Sequence, residues 1–137
     1  MVIERLILLG VGIVLFLFAM RLWRAWSAHR LQRLGQQAVP PELAQLLDDR
    51  RPALLYFTAH HCVQCRLQQT PILQKLSASA EIPIHTVDAV ETPNLARFFG
   101  VMTVPTTIFL DGHHRPAAIN HGLASLTRLQ KQATAMG

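Results

Sequence analysis

Ala53-Leu-Leu-Tyr-Phe-Thr-Ala-His-His-Cys-Val-Gln-Cys-Arg66 decides how this chain is read. The run Ala53–Phe57 is short, apolar and of strand type. From Arg66 to Leu76 apolar residues fall at 67, 72, 73 and 76, the spacing of a helix face. Between them stand Cys62 and Cys65, the only cysteines in 137 residues. Such a pair can close a small disulfide or hold half of a metal site, but a four-thiolate zinc site needs a second pair. A strand, then Cys-x-x-Cys, then a helix is the context in which the motif reads as a redox dithiol. A static structural bridge is the weaker reading, because closing one helical turn constrains little of the unfolded chain.

Outward from this stretch, Val39-Pro-Pro41 is a break where a domain boundary belongs. Pro41–Asp49 suits a short helix, with leucines 43, 46 and 47 on one face. The helix after Ala53–Phe57 should run from Cys62 to about Ser79 and kink at Pro71. Ile82–Asp88 reads as a second strand, with Asp88 capping the turn after it. Thr92–Phe99 reads as a helix with Thr92 as N-cap, stopped by Gly100. Thr106–Leu110 is a third strand, Asp111-Gly112 opens a hairpin into Pro116–Asn120, and Ser125–Ala135 closes the chain as a helix. Strand–helix–strand order implies parallel pairing and the hairpin adds an antiparallel edge, so the fold class is α/β with a mixed sheet. Tyr56, Phe98, Phe99 and Phe109 read as core.

The N-terminal region is of another kind. Leu6–Met20 is uninterrupted apolar sequence, and with its flanks the segment reaches roughly 20 residues, enough for one membrane span. Trp23 and Trp26 sit where interfacial anchors belong. A cleaved signal peptide is the rival, with Ala25-Trp26-Ser27 as its site, but Arg21 and Arg24 lie between that site and the apolar run. The organisation expected is an anchor over 1–24, a basic juxtamembrane stalk over 25–40 and a domain over 41–137. Residues 1–35 carry a net charge of +4 and residues 36–137 only +1. The high pI therefore belongs to the membrane flank and gives no case for nucleic acid, while residues 2–23 contact lipid. By the positive-inside rule the C-terminal domain faces the cytoplasm.

Four elements together resemble the thioredoxin family over roughly residues 41–135: Cys62-Val-Gln-Cys65 after a strand, Val87-Asp88 ending the next, Gly100-Val-Met-Thr-Val-Pro-Thr-Thr107, and Gly122 after the last strand. The resemblance implies a thioredoxin-like three-layer sandwich, a cis Pro105, and a substrate platform made by Val104, Pro105 and Thr106. Several positions depart from the family pattern. His61 stands where a tryptophan is common, and Val63-Gln64 replaces Gly-Pro. Tyr56 takes the position of a buried aspartate, and its partner lysine corresponds to about Ile84. The helix proline follows the second cysteine by six residues instead of five. No first strand is evident between Gln36 and Arg50, which implies a shortened sheet.

Cys62, at the start of a helix, meets free N–H groups and the positive end of the helix dipole, so its thiol is expected to ionise below the free value of about 8.5. Cys62 would attack a substrate disulfide and Cys65 would resolve the mixed disulfide. His60 and His61 are candidates for tuning that thiolate. No cofactor beyond the redox-active Cys62–Cys65 pair is called for, and no metal. The expected activity is thiol–disulfide exchange, most simply protein disulfide reduction, with protein disulfides or dithiols as partners and an upstream reductant the sequence does not identify. The alternatives are an extracytoplasmic oxidoreductase of cytochrome or disulfide maturation, and a non-enzymatic metal module built from these residues with His113, His114 and His121.

Overall fold

The computed structural model describes residues 1–37, 39–47 and 50–136. It divides into two compact units, Met1–Arg33 and Leu34–Gly137. Helix α1, Val2–Gln36, is unbroken, so no change of backbone marks the boundary expected after residue 24. Its apolar side chains stand exposed, and Val2–Arg33 is long and apolar enough to cross a membrane, a property a signal sequence shares. Arg30 lies over the ring of Trp26, 5.9 Å from its centroid.

The second unit is built on a four-stranded sheet: β1 (Ala53–Thr58), β2 (Ile84–Asp88), β3 (Thr106–Leu110) and β4 (Pro116–His121), in the order β2-β1-β3-β4. β1 pairs parallel with β2 and antiparallel with β3, and β3 pairs antiparallel with β4. The shortened sheet expected from the sequence is what forms: among the described residues no strand lies beyond β2.

β1 and β3 are buried on both faces, because helices cover both faces of the sheet. Alternation sends Leu55, Phe57, Ile108 and Leu110 to one side, where they meet Leu43 and Leu47 from α2 (Pro41–Leu46) and the turn after it, and Leu95 and Phe99 from α4 (Pro93–Phe98) and its end. Phe99 meets Phe57 and Phe98 edge to face, with centroids 6.1 and 5.0 Å apart. Leu54, Tyr56 and Phe109 point to the other side, against Cys65, against Leu73 and Leu76 of α3 (Thr70–Ser79), and against Leu129 and Ala133 of α5 (Leu126–Met136). These are the three layers of the expected sandwich.

Several boundaries differ from the sequence expectation, for identifiable reasons. α2 ends at Leu46, and residues 48 and 49 of the helix expected there lie outside the described residues. β2 begins at Ile84, just after Pro83, whose carbonyl accepts from the Leu54 N–H at 2.9 Å. Thr92 does not cap α4 with its side chain; its hydroxyl donates to the Asp88 carbonyl at 2.7 Å. Asp88 does close the turn after β2, its carboxylate accepting from the Val90 and Glu91 N–H groups at 2.8 and 3.2 Å. Gly100, at φ 66°, ends α4 as expected: its N–H bonds the Arg97 carbonyl while the Val101 N–H reaches back to Ala96, the paired bonds of a Schellman ending.

Candidate active site

The helix after β1 is not one kinked α-helix. Cys65–Gln69 is π-helical, with the Thr70 N–H bonded to the Cys65 carbonyl, and α3 begins at Thr70 with Pro71 in its first turn. A π turn accommodates one extra residue, and the chain has one: five residues stand between Cys65 and Pro71, where the family pattern has four. Proline has no N–H, so a change from i−5 to i−4 bonding beside Pro71 breaks no bond that the proline could have made.

The inserted turn directs Gln69 inward. Its side chain is fully buried and holds the Ala124 peptide from both sides, accepting from the Ala124 N–H at 2.8 Å and donating to the Ala124 carbonyl at 3.2 Å. The redox helix is thereby tied to the segment that leaves β4 through Gly122, at φ 81°. Nothing in the residue type signals this role. The only trace in the sequence is the Cys65-to-Pro71 spacing.

Cys62 and Cys65 form a disulfide. Cys62 is half-buried and Cys65 is buried, 1% exposed. The Cys65 N–H points at the Cys62 Sγ, 3.1 Å away, so a free backbone donor of the helix start lies on the first sulfur. The register Phe57↔Thr106↔His121 brings the ends of β1, β3 and β4 together. Cys62 and Val104 consequently pack against the cluster that contains Cys65 and Ala124.

The Val104–Pro105 peptide is cis, as the resemblance implied. Of the three residues expected to form a platform, Val104 is half-exposed, whereas Pro105 and Thr106 are buried. The Thr106 hydroxyl donates to the Thr103 carbonyl at 2.7 Å, so only its backbone remains to meet another chain. His60 and His61 are exposed and meet each other edge-on, centroids 5.6 Å apart; neither imidazole bonds the Cys62 sulfur. Among the described residues no three His, Cys, Asp or Glu side chains gather as a metal site would require, and His113 and His114 lie in the β3–β4 turn that Asp111 organises.

Tyr56 packs in the core, as expected, but its hydroxyl has a place the sequence does not disclose. It donates to the Cys65 carbonyl at 3.2 Å and lies 3.3 Å from the Thr70 hydroxyl. Tyr56 and Thr70 also line a cleft of about 460 Å³, together with Cys62, His60, Arg66, Ile84 and Thr86. Tyr56→Phe keeps the ring and removes that bond. It is expected to cost about 1 kcal/mol of unfolding free energy, read as a lower urea midpoint at unchanged slope.

The sequence model of the thioredoxin family, described as Thioredoxin, matches residues 39–135. Solved structures similar to this chain include a thioredoxin mutant from Halobacterium salinarum NRC-1, at 22% identity over 72% of this chain and 85% of that one, TM-score 0.63. Desulfothioredoxin from Desulfovibrio vulgaris Hildenborough matches at 26% identity over 62% and 81%, TM-score 0.55. Thioredoxin-2 of the malaria parasite, described as a component of its protein secretion machinery, matches at 29% identity over 62% and 82%, TM-score 0.56. The fold, together with a close cysteine pair at the start of a helix, supports thiol–disulfide oxidoreductase chemistry in general. With a family match across most of its length, a four-stranded sheet carrying Cys-x-x-Cys at the end of β1, and a cis proline before β3, this chain belongs to the thioredoxin family.

Proposed function

We propose that the chain reduces protein disulfides through Cys62 and Cys65 while held at a membrane by α1. The asymmetry of the pair carries this reading: Cys62 is reachable and has a backbone N–H on its sulfur, while Cys65 is enclosed in the core. In the reduced protein the Cys62 thiolate attacks one sulfur of a substrate disulfide, and the other sulfur leaves as a thiolate and takes a proton. Cys65 then loses its proton and attacks Cys62 Sγ, releasing the second substrate thiol and leaving the Cys62–Cys65 disulfide. Two electrons have passed to the substrate, and an external dithiol must return them before the next cycle. Val63, between the cysteines, Met102, before the cis peptide, and Leu123, after Gly122, are large apolar residues left exposed on segments that converge at this end of the sheet. An apolar rim of that kind suits a polypeptide substrate. Val104 and the backbone of Pro105 and Thr106 serve as its platform, and His60 and His61 tune the thiolate, a reading supported for His60 by the cleft it shares with Cys62.

The full-length chain in detergent, supplied with dithiothreitol, is expected to accelerate insulin disulfide reduction well above the reductant alone; no acceleration would rule the reading out. The arginines after the apolar run favour a cytoplasmic C-terminal domain. Reporter fusions at the C-terminus test that placement, and signal from an extracytoplasmic reporter alone overturns it.

A further inference from the structure

β2 is an edge strand, and among the described residues no strand pairs with its outer side. The Leu54 N–H bonds the Pro83 carbonyl and the Ala89 N–H bonds the Thr58 carbonyl. With the period of two along a strand, the backbone groups of residues 83, 85, 87 and 89 face β1, and those of Ile84 and Thr86 face away from the sheet. Thr86 is exposed. Edge strands are usually guarded by lysine, proline or a bulge. Within Ile84-His85-Thr86-Val87-Asp88 there is none, and Pro83 stops just short of it.

The side chains of Ile84 and Thr86 form one wall of the cleft that ends at Cys62. Arg66, exposed and without an ion-pair partner among the described residues, lines the same cleft, as does His60. No acidic side chain lines the cleft. The nearest carboxylate on β2, Asp88, is occupied by two N–H groups of its own turn. The outward edge of β2, one guanidinium and the Cys62 sulfur thus border one cleft.

We propose that the edge of β2 takes an extended acidic segment of the substrate polypeptide as an added strand, its carboxylates against Arg66, so that the neighbouring substrate disulfide is delivered to Cys62. Main-chain bonds to Ile84 and Thr86 supply affinity and Arg66 supplies the preference for acidic sequence. The inference rests on the protein-disulfide reading above.

The test uses the full-length chain in detergent and three substrates: a disulfide-bonded peptide with an acidic flank, the same peptide with a basic flank, and a small aromatic disulfide. The acidic peptide is expected to be preferred over the basic one by about tenfold in kcat/KM, from a carboxylate–guanidinium contact at Arg66 in place of a like-charge one. Thr86→Pro removes an outward N–H without touching the ladder to β1, and Arg66→Gln removes the charge. Each is expected to erase most of the preference through KM, when rates are normalised to the small disulfide. N-methylation of the acidic flank's backbone should do the same to the unaltered protein, which keeps the test valid if Thr86→Pro fails to fold. A preference that is absent, or that survives backbone methylation and Arg66→Gln, overturns the proposal while leaving the oxidoreductase reading intact. Failure of the wild type to reduce even the small disulfide overturns the oxidoreductase reading itself. A concentration-dependent dimer that Thr86→Pro abolishes, with no change in preference, assigns the edge to a second copy and also overturns it.

Discussion

Cys62→Ser is expected to bring disulfide reduction to the level of the reductant alone, a loss on the order of a thousandfold or more, as removal of a nucleophile does elsewhere. A serine hydroxyl neither ionises near neutral pH nor forms a bond to sulfur that Cys65 can resolve. Cys65→Ser should behave differently. Cys62 still attacks, the mixed disulfide forms, and no second thiol is present to release it. The product is a covalent one-to-one complex with substrate, seen on a non-reducing gel and dispersed by dithiothreitol. The two variants differ because only Cys62 is reachable, Cys65 being buried beneath it. Retained turnover in Cys62→Ser, or a complex trapped through Cys65 in its place, would reverse the assignment of attacking and resolving thiols.

Gln69→Leu is expected to produce the largest loss of stability of any single polar substitution in this site. Leucine fills similar space but leaves the Ala124 N–H and carbonyl buried without partners, at about 1–3 kcal/mol each. A total near 3 kcal/mol lowers the midpoint of thermal unfolding on the order of 15 °C in a domain of this size. Gln68→Leu, one residue earlier and exposed, should change stability by less than about 0.5 kcal/mol. In an ordinary α-helix the turn would be tighter and neighbouring residues would face elsewhere, so the contrast between positions 68 and 69 reports the π-helical segment directly. Equal effects at the two positions, measured by calorimetry, would count against it.

Much of the fold is legible in the sequence because its signals are local or periodic. The apolar run at 53–57 can only be an inner strand, Gly100 ends a helix by adopting a backbone conformation that other residues resist, and Pro105 sits in a run that resembles a known family. The cysteine pair is equally plain, since no other cysteine competes for either sulfur. What stays hidden is which partner a polar side chain finds once the chain has folded. Gln69 reads as one more polar residue on a helix until its amide is seen against Ala124, 55 positions away. Tyr56 reads as core, which it is, and its hydroxyl bond to Cys65 requires knowing where a π turn places a carbonyl. Thr92 has the residue type of a cap and the position of one, yet its hydroxyl is drawn to the Asp88 carbonyl. The histidines are legible only as neighbours of Cys62; that the two rings meet edge-on, and that His60 shares a cleft with Cys62, is visible only in the fold.

The hydrogen bond from Tyr56 to the Cys65 carbonyl has an optical consequence. Tyr56 is the only tyrosine in the chain, and both tryptophans lie in α1, outside the sheet-bearing unit. The one phenol of the domain is therefore attached to the peptide of Cys65. Its ultraviolet band is a built-in label at the redox centre, present without engineering and free of any second tyrosine to obscure it.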